Sequence, residues 1–546
     1  MNNLGNYDVI IIGGGATGAG TARDCALRGL RVLLVERKDF ATGATGRNHG
    51  LLHSGARYAV TDQESAAECI AENKILRTVA RHCVEETDGL FITLPEDDLG
   101  YQKNFIEACR RAGISAEAIS PEEARRLEPS VNPALIGAVK VPDGAIDPFR
   151  LVSANVLDAR LHGAKVLTYH EVVDFVRSGN RIEGVVLMNV TTGEKGVAYA
   201  PVTVNAAGIW GHLIARKAGV EVGMLPAKGA LLVFGHRVNN VVINRCRKPA
   251  NADILVPGDT ICLIGTTSDK IPFEDIDKNE VTPEEVDLLL REGSKLAPSL
   301  ATTRILRAYS GVRPLVADDS DPSGRSVSRG IVCLDHSVRD GLDGFVTITG
   351  GKLMTYRLMA EWATDMVCRK LGRTALCSTA TTPLPGSATS AKNSSSGRKH
   401  FISMRMGEKG AAGRHGDRVG QIGFGGAADA ALVCECEQVS VAEIKYAIES
   451  LGAENLVDLR RRTRMGMGTC QGHLCAVRTA GILAQSGKKS QEDVLADVAS
   501  FVNERWRGVR PVAWGESLVE AQFTRWFYEG VCGLSELVGD KQQEKI

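Results

Sequence analysis

Residues 7–37 constrain the fold of this chain more than any other stretch, because they spell strand, glycine turn, helix and strand in direct succession. Val9-Ile10-Ile11-Ile12 is a continuous β-branched run, as expected of a parallel strand covered on both faces. Gly13-Gly14-Gly15-Ala16-Thr17-Gly18 follows with the spacing G-x-G-x-x-G. A helix is predicted from about Ala16 to Arg28, stopped by Gly29, and Arg31–Val35 reads as the second strand, with Glu36 at its end. Gly13 permits the tight turn, Gly15 lets a pyrophosphate approach the backbone, and Gly18 lets helix and strand pack closely. The first helical N–H groups, around Ala16 and Thr17, would face the anion. Glu36 would accept hydrogen bonds from an adenosine ribose, with Arg37 beside it. The unit therefore predicts a dinucleotide site, but the fingerprint alone does not separate FAD from NAD.

At 546 residues the chain exceeds one compact core, and two to four domains are expected. Lys+Arg and Asp+Glu are both 65, a balance that does not suggest a nucleic-acid binder. No apolar run approaches the roughly 18 residues of a membrane span. Met1 to Ile12 has no basic n-region, so no signal peptide is expected and the protein reads as cytoplasmic. In that setting the 14 cysteines are expected as reduced thiols or redox and metal ligands, with Cys25, Cys246, Cys262 and Cys333 as buried thiols.

Ser120-Pro121-Glu122-Glu123 and Thr282-Pro283-Glu284-Glu285 are capping boxes with proline at the first helical position, the second opening a helix to about Leu296. Short apolar segments such as Val185–Asn189, Val202–Val204 and Leu231–Phe234 read as strands. The expected fold class is α/β and α+β: residues 1–385 form a Rossmann-like nucleotide domain interleaved with a substrate cap. Residues 386–430, rich in Gly, Ser and Ala, are expected as a linker with room for a short docked element. Residues 431–486 form a small cysteine module. The tail, 487–546, carries Trp506, Trp514 and Trp526 and is expected either as a small core or as a partner surface.

Ala41–Tyr58 (ATGATGRNHGLLHSGARY) is a second small-residue stretch suited to close passage along a flavin. With residues 7–37, Val204-Asn205-Ala206-Ala207-Gly208, the Tyr309–Leu315 run YSGVRPL and the Gly350–Arg357 run GGKLMTYR, it resembles the FAD-dependent glycerol-3-phosphate dehydrogenases over roughly residues 7–370. That resemblance implies a D-amino-acid-oxidase-like fold. Thr45, Asn48, Gly50, Leu51, Ala207, Gly208, Gly351 and Leu353 lie in those motifs and are the further cofactor-side candidates. Arg57, Tyr58, Arg313 and Lys352 would line the substrate side of the flavin. Guanidinium suits a phosphate dianion because its planar fork matches phosphate oxygens in pairs. His53 is the first candidate for the base that takes the hydroxyl proton, against the alternative that it only hydrogen-bonds backbone.

Cys434 and Cys436, then 33 residues, then Cys470 and Cys475, give C-x-C and C-x4-C. A [2Fe-2S] cluster needs two thiolates on each iron, and this set can supply them. Structural zinc is the alternative, though C-x-C is narrow for its paired ligands. Arg460, Arg461, Arg462 and Arg464 precede the second pair and would stabilise a negatively charged cluster, unless they form a solvated helix face. The spacing is similar to bacterioferritin-associated-ferredoxin-like (BFD-like) [2Fe-2S] domains. With this module appended, the chain is similar to the anaerobic, multi-subunit branch of the dehydrogenase family. That likeness implies oxidation of glycerol 3-phosphate, a second catalytic subunit, and a membrane-attached iron–sulfur subunit feeding quinone. It places the protein peripherally on the inner face of the cell membrane and implies FMN in the complex, for which no motif stands in this chain. Two alternatives remain open from sequence: a 2-hydroxy acid or amino acid as substrate, and a cysteine module that only docks or senses redox state.

Overall fold

The computed structural model describes residues 1–278, 280–316, 330–388 and 402–534. The predicted nucleotide unit forms as strand Val9–Ile12, helix Ala16–Leu27 and strand Val32–Val35, with Gly29 in the left-handed region at φ +75° where the helix stops. These strands sit inside a six-stranded sheet. Its order is Lys165–Leu167, Val32–Val35, Val9–Ile12, Val202–Asn205, Phe345–Gly350 and Ile331–Asp335. Every pairing is parallel except the last. Val9 to Ile11 and Leu33 to Leu34 are fully buried because helices cover one face and a four-stranded sheet lies over the other.

The cap is a nine-stranded mixed sheet built around the long hairpin-like pair Met224–Phe234 and Ile305–Val316. Helix Pro283–Leu296 packs on it, and Thr282 with Glu285 closes the predicted capping box in both directions. At Ser120 only the forward arm is seen, the hydroxyl accepting from Glu123 N–H at 3.2 Å. The register of the long pair sets Arg313 opposite Ala227 and Gly311 opposite Gly229. Side chains there alternate faces, so Arg313 points from the end of the cap sheet toward the nucleotide domain.

Residues 402–430, where composition suggests a linker, carry helix Ile402–His415, a 3-10 turn at Gly416–Gln421 and a short helix Ala427–Ala430. Ala411, Ile422 and Phe424 enter the core of the C-terminal unit. Arg414 binds the buried Glu443 through both oxygens at 2.6 Å, and His415 adds a third contact at 2.9 Å. A few well-spaced apolar residues and one buried ion pair are enough to dock a Gly-rich helix, which composition does not register. The Ser394-Ser395-Ser396-Gly397 run lies outside the described residues.

Part of the tail enters the core of the C-terminal unit and part is exposed. Helix Gln491–Val509 gives Val494, Val498, Phe501 and Val502 to the same core, while Trp514, Phe523 and Trp526 are exposed. Cys25, Cys246 and Cys262 are buried thiols as expected; Cys333 is only half-buried. No helix among the described residues is long and apolar enough to cross a membrane.

Candidate flavin site and cysteine centre

One cavity of about 480 Å³ runs from the glycine turn to the end of the cap sheet. Gly13, Gly15, Ala16, Thr17, Glu36 and Arg37 line its nucleotide end. Thr45, Asn48, Leu51, Ala207, Gly208, Gly351 and Leu353 line its middle, and His53, Arg57, Tyr58, Arg313 and Lys352 its far end. Two candidates stand elsewhere. Gly18 packs inside the fold, where an added Cβ would lie 1.8 Å from Gly13 O, which is the helix–strand packing role. Gly50, at φ +69°, lines a neighbouring, larger cavity.

The glycine turn fits a dinucleotide. Gly13 sits at φ +114°, and a Cβ there would come within 2.6 Å of Ala206 O, so only glycine allows this approach of two strand ends. Both oxygens of Glu36 accept backbone N–H bonds, from Gly14 at 2.7 Å and from Lys38 at 2.8 Å. Burial pushes its carboxyl up despite those bonds. Each oxygen keeps a lone pair for a ribose hydroxyl. The Thr45 hydroxyl accepts from Ala16 N–H at 3.1 Å and so ties the second small-residue stretch to the helix N-terminus. Asn48 is spent locally, its amide donating to Thr45 O at 2.6 Å and its oxygen accepting from Gly50 N–H at 2.7 Å. Arg37 pairs with Asp277 at 2.8 Å and lies 4.7 Å over the Trp210 ring, so it closes the outer wall.

The far end is cationic. Arg313 donates to Thr266 Oγ1 and, at 3.0 Å, to Thr267 O, contacts that orient the fork. Gly229 makes the room: a Cβ there would meet Arg313 Nη2 at 2.5 Å. Arg57 donates to Ala250 O at 3.2 Å and to Asp253 at 3.3 Å, but Asp253 also serves Arg247 at 2.7 Å. Arg57 Nη1 is buried and has no hydrogen-bond partner among the described residues. An unsatisfied donor on a residue that lines a cavity is what an anionic ligand can satisfy. Lys352 Nζ lies 4.8 Å over the Tyr58 ring. His53 is buried, with its ring 5.4 Å from Tyr58 and 5.9 Å from His49. Sequence reasoning missed Thr266, Gly229 and Trp210. They come from strand register and a loop crossing, and no local motif marks them.

At the other end of the molecule the four cysteines converge. Cys434 and Cys436 sulfurs are 3.6 Å apart, and Cys434 and Cys470 each lie within hydrogen-bonding reach of both Cys436 and Cys475. Those contacts hold Cys434 and Cys470 below the ordinary thiol range. Backbone N–H groups of Gly466 and Glu437 point at Cys434, and those of Gly472 and Leu474 at Cys470. Among the described residues no group of three or more such side chains encloses a single metal ion. A ring of four sulfurs with amide donors suits a two-iron group, in which each iron takes two thiolates. Gly468 leaves space beside Cys436, where a Cβ would lie 2.7 Å from its sulfur.

The arginines before Cys470 serve a different purpose from neutralising a cluster. Arg462 meets Asp39 at 2.5 Å with both side chains 1 % exposed, and Arg461 joins at 3.0 Å. Arg464 bridges Glu437 at 2.9 Å and Asp259 at 3.1 Å. Tyr169 donates to Asp458 at 2.7 Å, and Thr469 to Gly235 O at 3.2 Å. These contacts fasten the cysteine module to the nucleotide domain three residues after Glu36 and to the cap. Arg505 and Arg478 are charged neighbours of the cysteine sulfurs. Burial alone would push Asp39 up, yet Arg462 and Arg461 outweigh it and hold its carboxyl below 3.8. The clamp therefore contributes stability above that pH and loses it as pH falls through the lowered value. Asp39→Asn leaves Arg462 buried without its counter-charge, a loss of about 3–5 kcal/mol. Hydrogen exchange should rise across Leu456–Thr463 while the sheet around Val9–Ile12 keeps its protection.

Residues 8–357 match the family model "FAD dependent oxidoreductase", and residues 432–485 match "BFD-like [2Fe-2S] binding domain". The chain is 64 % identical over 530 residues to the A-type subunit of the anaerobic glycerol-3-phosphate dehydrogenase of Escherichia coli K12, covering 97 % of each chain. It is 43 % identical to the A1-type subunit of the corresponding Haloferax volcanii enzyme, covering 93 % of this chain and 88 % of that one. Among solved structures, the FAD-bound glycerol-3-phosphate dehydrogenase of Bacillus halodurans superposes with a TM-score of 0.67 at 22 % identity, over 93 % of this chain and 96 % of that one. It shares the fold. The chain belongs to the FAD-dependent oxidoreductases and, within them, to the family of A-type subunits of anaerobic glycerol-3-phosphate dehydrogenase, with a C-terminal BFD-like [2Fe-2S] binding domain.

Proposed function

We propose that this chain oxidises glycerol 3-phosphate to dihydroxyacetone phosphate and passes the electrons through its cysteine centre to partner subunits and the quinone pool. The observation that carries this reading is the convergence of Arg57, Arg313 and Lys352 at one end of the flavin cavity, with Arg57 Nη1 buried and lacking a hydrogen-bond partner among the described residues. A monocarboxylate needs one arginine clamp, whereas a phosphate dianion rewards several cations. When bound, FAD supplies a two-electron acceptor for the hydride on C2, and a [2Fe-2S] cluster supplies a one-electron carrier.

The chain's own residues then have defined tasks. Arg57 and Arg313 hold the phosphate, and Lys352 steadies negative charge beside the ring. Tyr58 and Lys352 form a wall that fixes the carbinol end. His53 takes the hydroxyl proton, and its burial keeps competing water away. Glu36 and Arg37 grip the adenosine end, and Cys434, Cys436, Cys470 and Cys475 ligate the irons. The implied FMN belongs in this reading to the assembled complex. Exposed Trp514, Phe523 and Trp526 offer a face to a second subunit, through which the protein sits peripherally on the inner membrane surface.

Anaerobic titration of the purified flavoprotein tests the substrate. Glycerol 3-phosphate should bleach the flavin stoichiometrically, and bleaching by lactate or an amino acid alone would overturn the assignment. Gly229→Ala gives a finer test, since the added methyl must displace the Arg313 fork. We expect kcat/KM to fall about 10–100-fold with flavin content unchanged, in line with the cost of misplacing a clamp by about 1 Å.

A further inference from the structure

Two opposite charges neighbour the cysteine centre without being ligands, Glu437 at Cys436 and Arg505 at Cys470. Glu437 is 4 % exposed. A Cβ on Gly468 would meet the Cys436 sulfur at 2.7 Å and Glu437 Oε1 at 2.9 Å, so thiol and carboxylate flank a single point. The carboxylate is held from two modules. Thr260 lies in the turn between the paired cap strands Ile254–Gly258 and Ile261–Gly265, and its hydroxyl donates to Oε1 at 2.6 Å. Arg464 donates to Oε2 at 2.9 Å, but it also lies 3.1 Å from Asp259 and 3.6 Å from Asp147. One guanidinium is thus divided among three carboxylates. Arg414 fixes the backbone of the same residue, donating to Glu437 O at 2.8 Å. Together these contacts set where the negative charge sits relative to the sulfurs.

Arg505 belongs to helix Gln491–Val509. Phe501 of that helix packs on the Cys470 loop: a Cβ on Gly466 would meet its ring at 2.9 Å, and one on Gly472 at 2.5 Å. Arg505 stands four residues further on, and so on the same helix face. Its Nε is buried and lacks a hydrogen-bond partner among the described residues. Burial lowers its proton affinity, and Cys470 leads the neighbours that raise it. Arg478, the other charged neighbour of the sulfurs, is half-exposed and paired with Glu435, so solvent and counter-charge both screen it.

We propose that Glu437 and Arg505 set the reduction potential of the iron–sulfur centre, the carboxylate lowering it and the guanidinium raising it, with the cap's Thr260 holding the carboxylate in place. Both are positioning residues, acting through the cluster rather than on the substrate. Reduction adds a negative charge to a group already ligated by four thiolates, so a fixed carboxylate opposes it and a fixed guanidinium favours it. Salt screens such partly buried charges weakly. Through Thr260, the cap that carries Arg313 also shapes the centre that receives the electrons. Both roles rest on the four cysteines ligating a [2Fe-2S] cluster.

Anaerobic redox titration of the full chain, with flavin and cluster retained, tests this by following the paramagnetic signal of the reduced centre. Glu437→Gln keeps the shape and the bond from Thr260 while removing the charge. Its equilibrium constant for cluster reduction should rise about 10-fold, an upward shift of about 59 mV for one electron. Arg505→Gln should lower the constant by about the same factor. Glu437→Asp keeps the charge and should stay within about threefold of wild type. Iron and sulfide content should match wild type in all three. If Glu437→Gln sheds its iron, Glu437→Asp and Arg505→Gln still decide the matter. A constant for Glu437→Gln within about twofold of wild type, or below it, would overturn the proposal. So would an unmoved or raised constant in Arg505→Gln, or a shift in Glu437→Asp as large as that expected of Glu437→Gln. Wild type purified anaerobically without iron and sulfide would instead remove the cluster itself, and both roles with it.

Discussion

Arg313→Ala should lower kcat/KM for glycerol 3-phosphate by about 10²–10³-fold and leave flavin content unchanged. The guanidinium is oriented by Thr266 Oγ1 and Thr267 O at the cavity's cationic end. Losing a bidentate, charge-assisted contact removes about 3–4 kcal/mol of binding, which converts to that range. Arg313→Lys should recover part of the loss, because an ammonium keeps the charge and forfeits the fork. The loss should fall chiefly on KM if Arg313 grips the phosphate, and equally on kcat if it grips the reacting alcohol. Steady-state kinetics with an artificial acceptor read this directly. A variant within threefold of wild type would remove Arg313 from the substrate.

Cys470→Ser should have an even larger effect, but on a different step. Its sulfur lies against those of Cys436 and Cys475 and receives the Gly472 and Leu474 N–H groups, so it is central to the ring. Changes around a metal ligand alone cost roughly 10–100-fold in metal affinity, and losing the ligand itself should exceed that. Iron and acid-labile sulfide should fall close to zero. Bleaching of the flavin by glycerol 3-phosphate should persist, whereas quinone reduction by the complex with its partners should fall by at least about 100-fold. Unchanged quinone-linked activity would reduce the module to a docking or sensing element.

The parts that sequence made legible are those written in consecutive residues. Gly13, Gly15, Glu36, Thr45, Asn48, Leu51 and the GGKL run come to one cavity because short motifs fix local backbone and packing. The four cysteines converge for the same reason, each pair being held by one turn. What was hidden arises from register and from docking. Gly229 and Thr266 reach Arg313 across a strand pairing far from any motif, and no local pattern announces such a neighbour. Arg461, Arg462 and Arg464 read as cluster cations from their place in the chain, yet they find Asp39 and Asp259 once the modules meet. Residues 402–430 look like linker by composition and dock through Ala411, Ile422 and Phe424 with one buried Arg414–Glu443 pair.

Rapid anaerobic mixing with glycerol 3-phosphate, followed at once by optical and paramagnetic resonance readout of the same sample, tests the central claim most directly. The account predicts that the flavin bleaches first and that a reduced [2Fe-2S] signal follows from the same chain, lost in Cys470→Ser. Full flavin bleaching with the cysteine centre still oxidised long afterwards, in an otherwise intact complex, would contradict it.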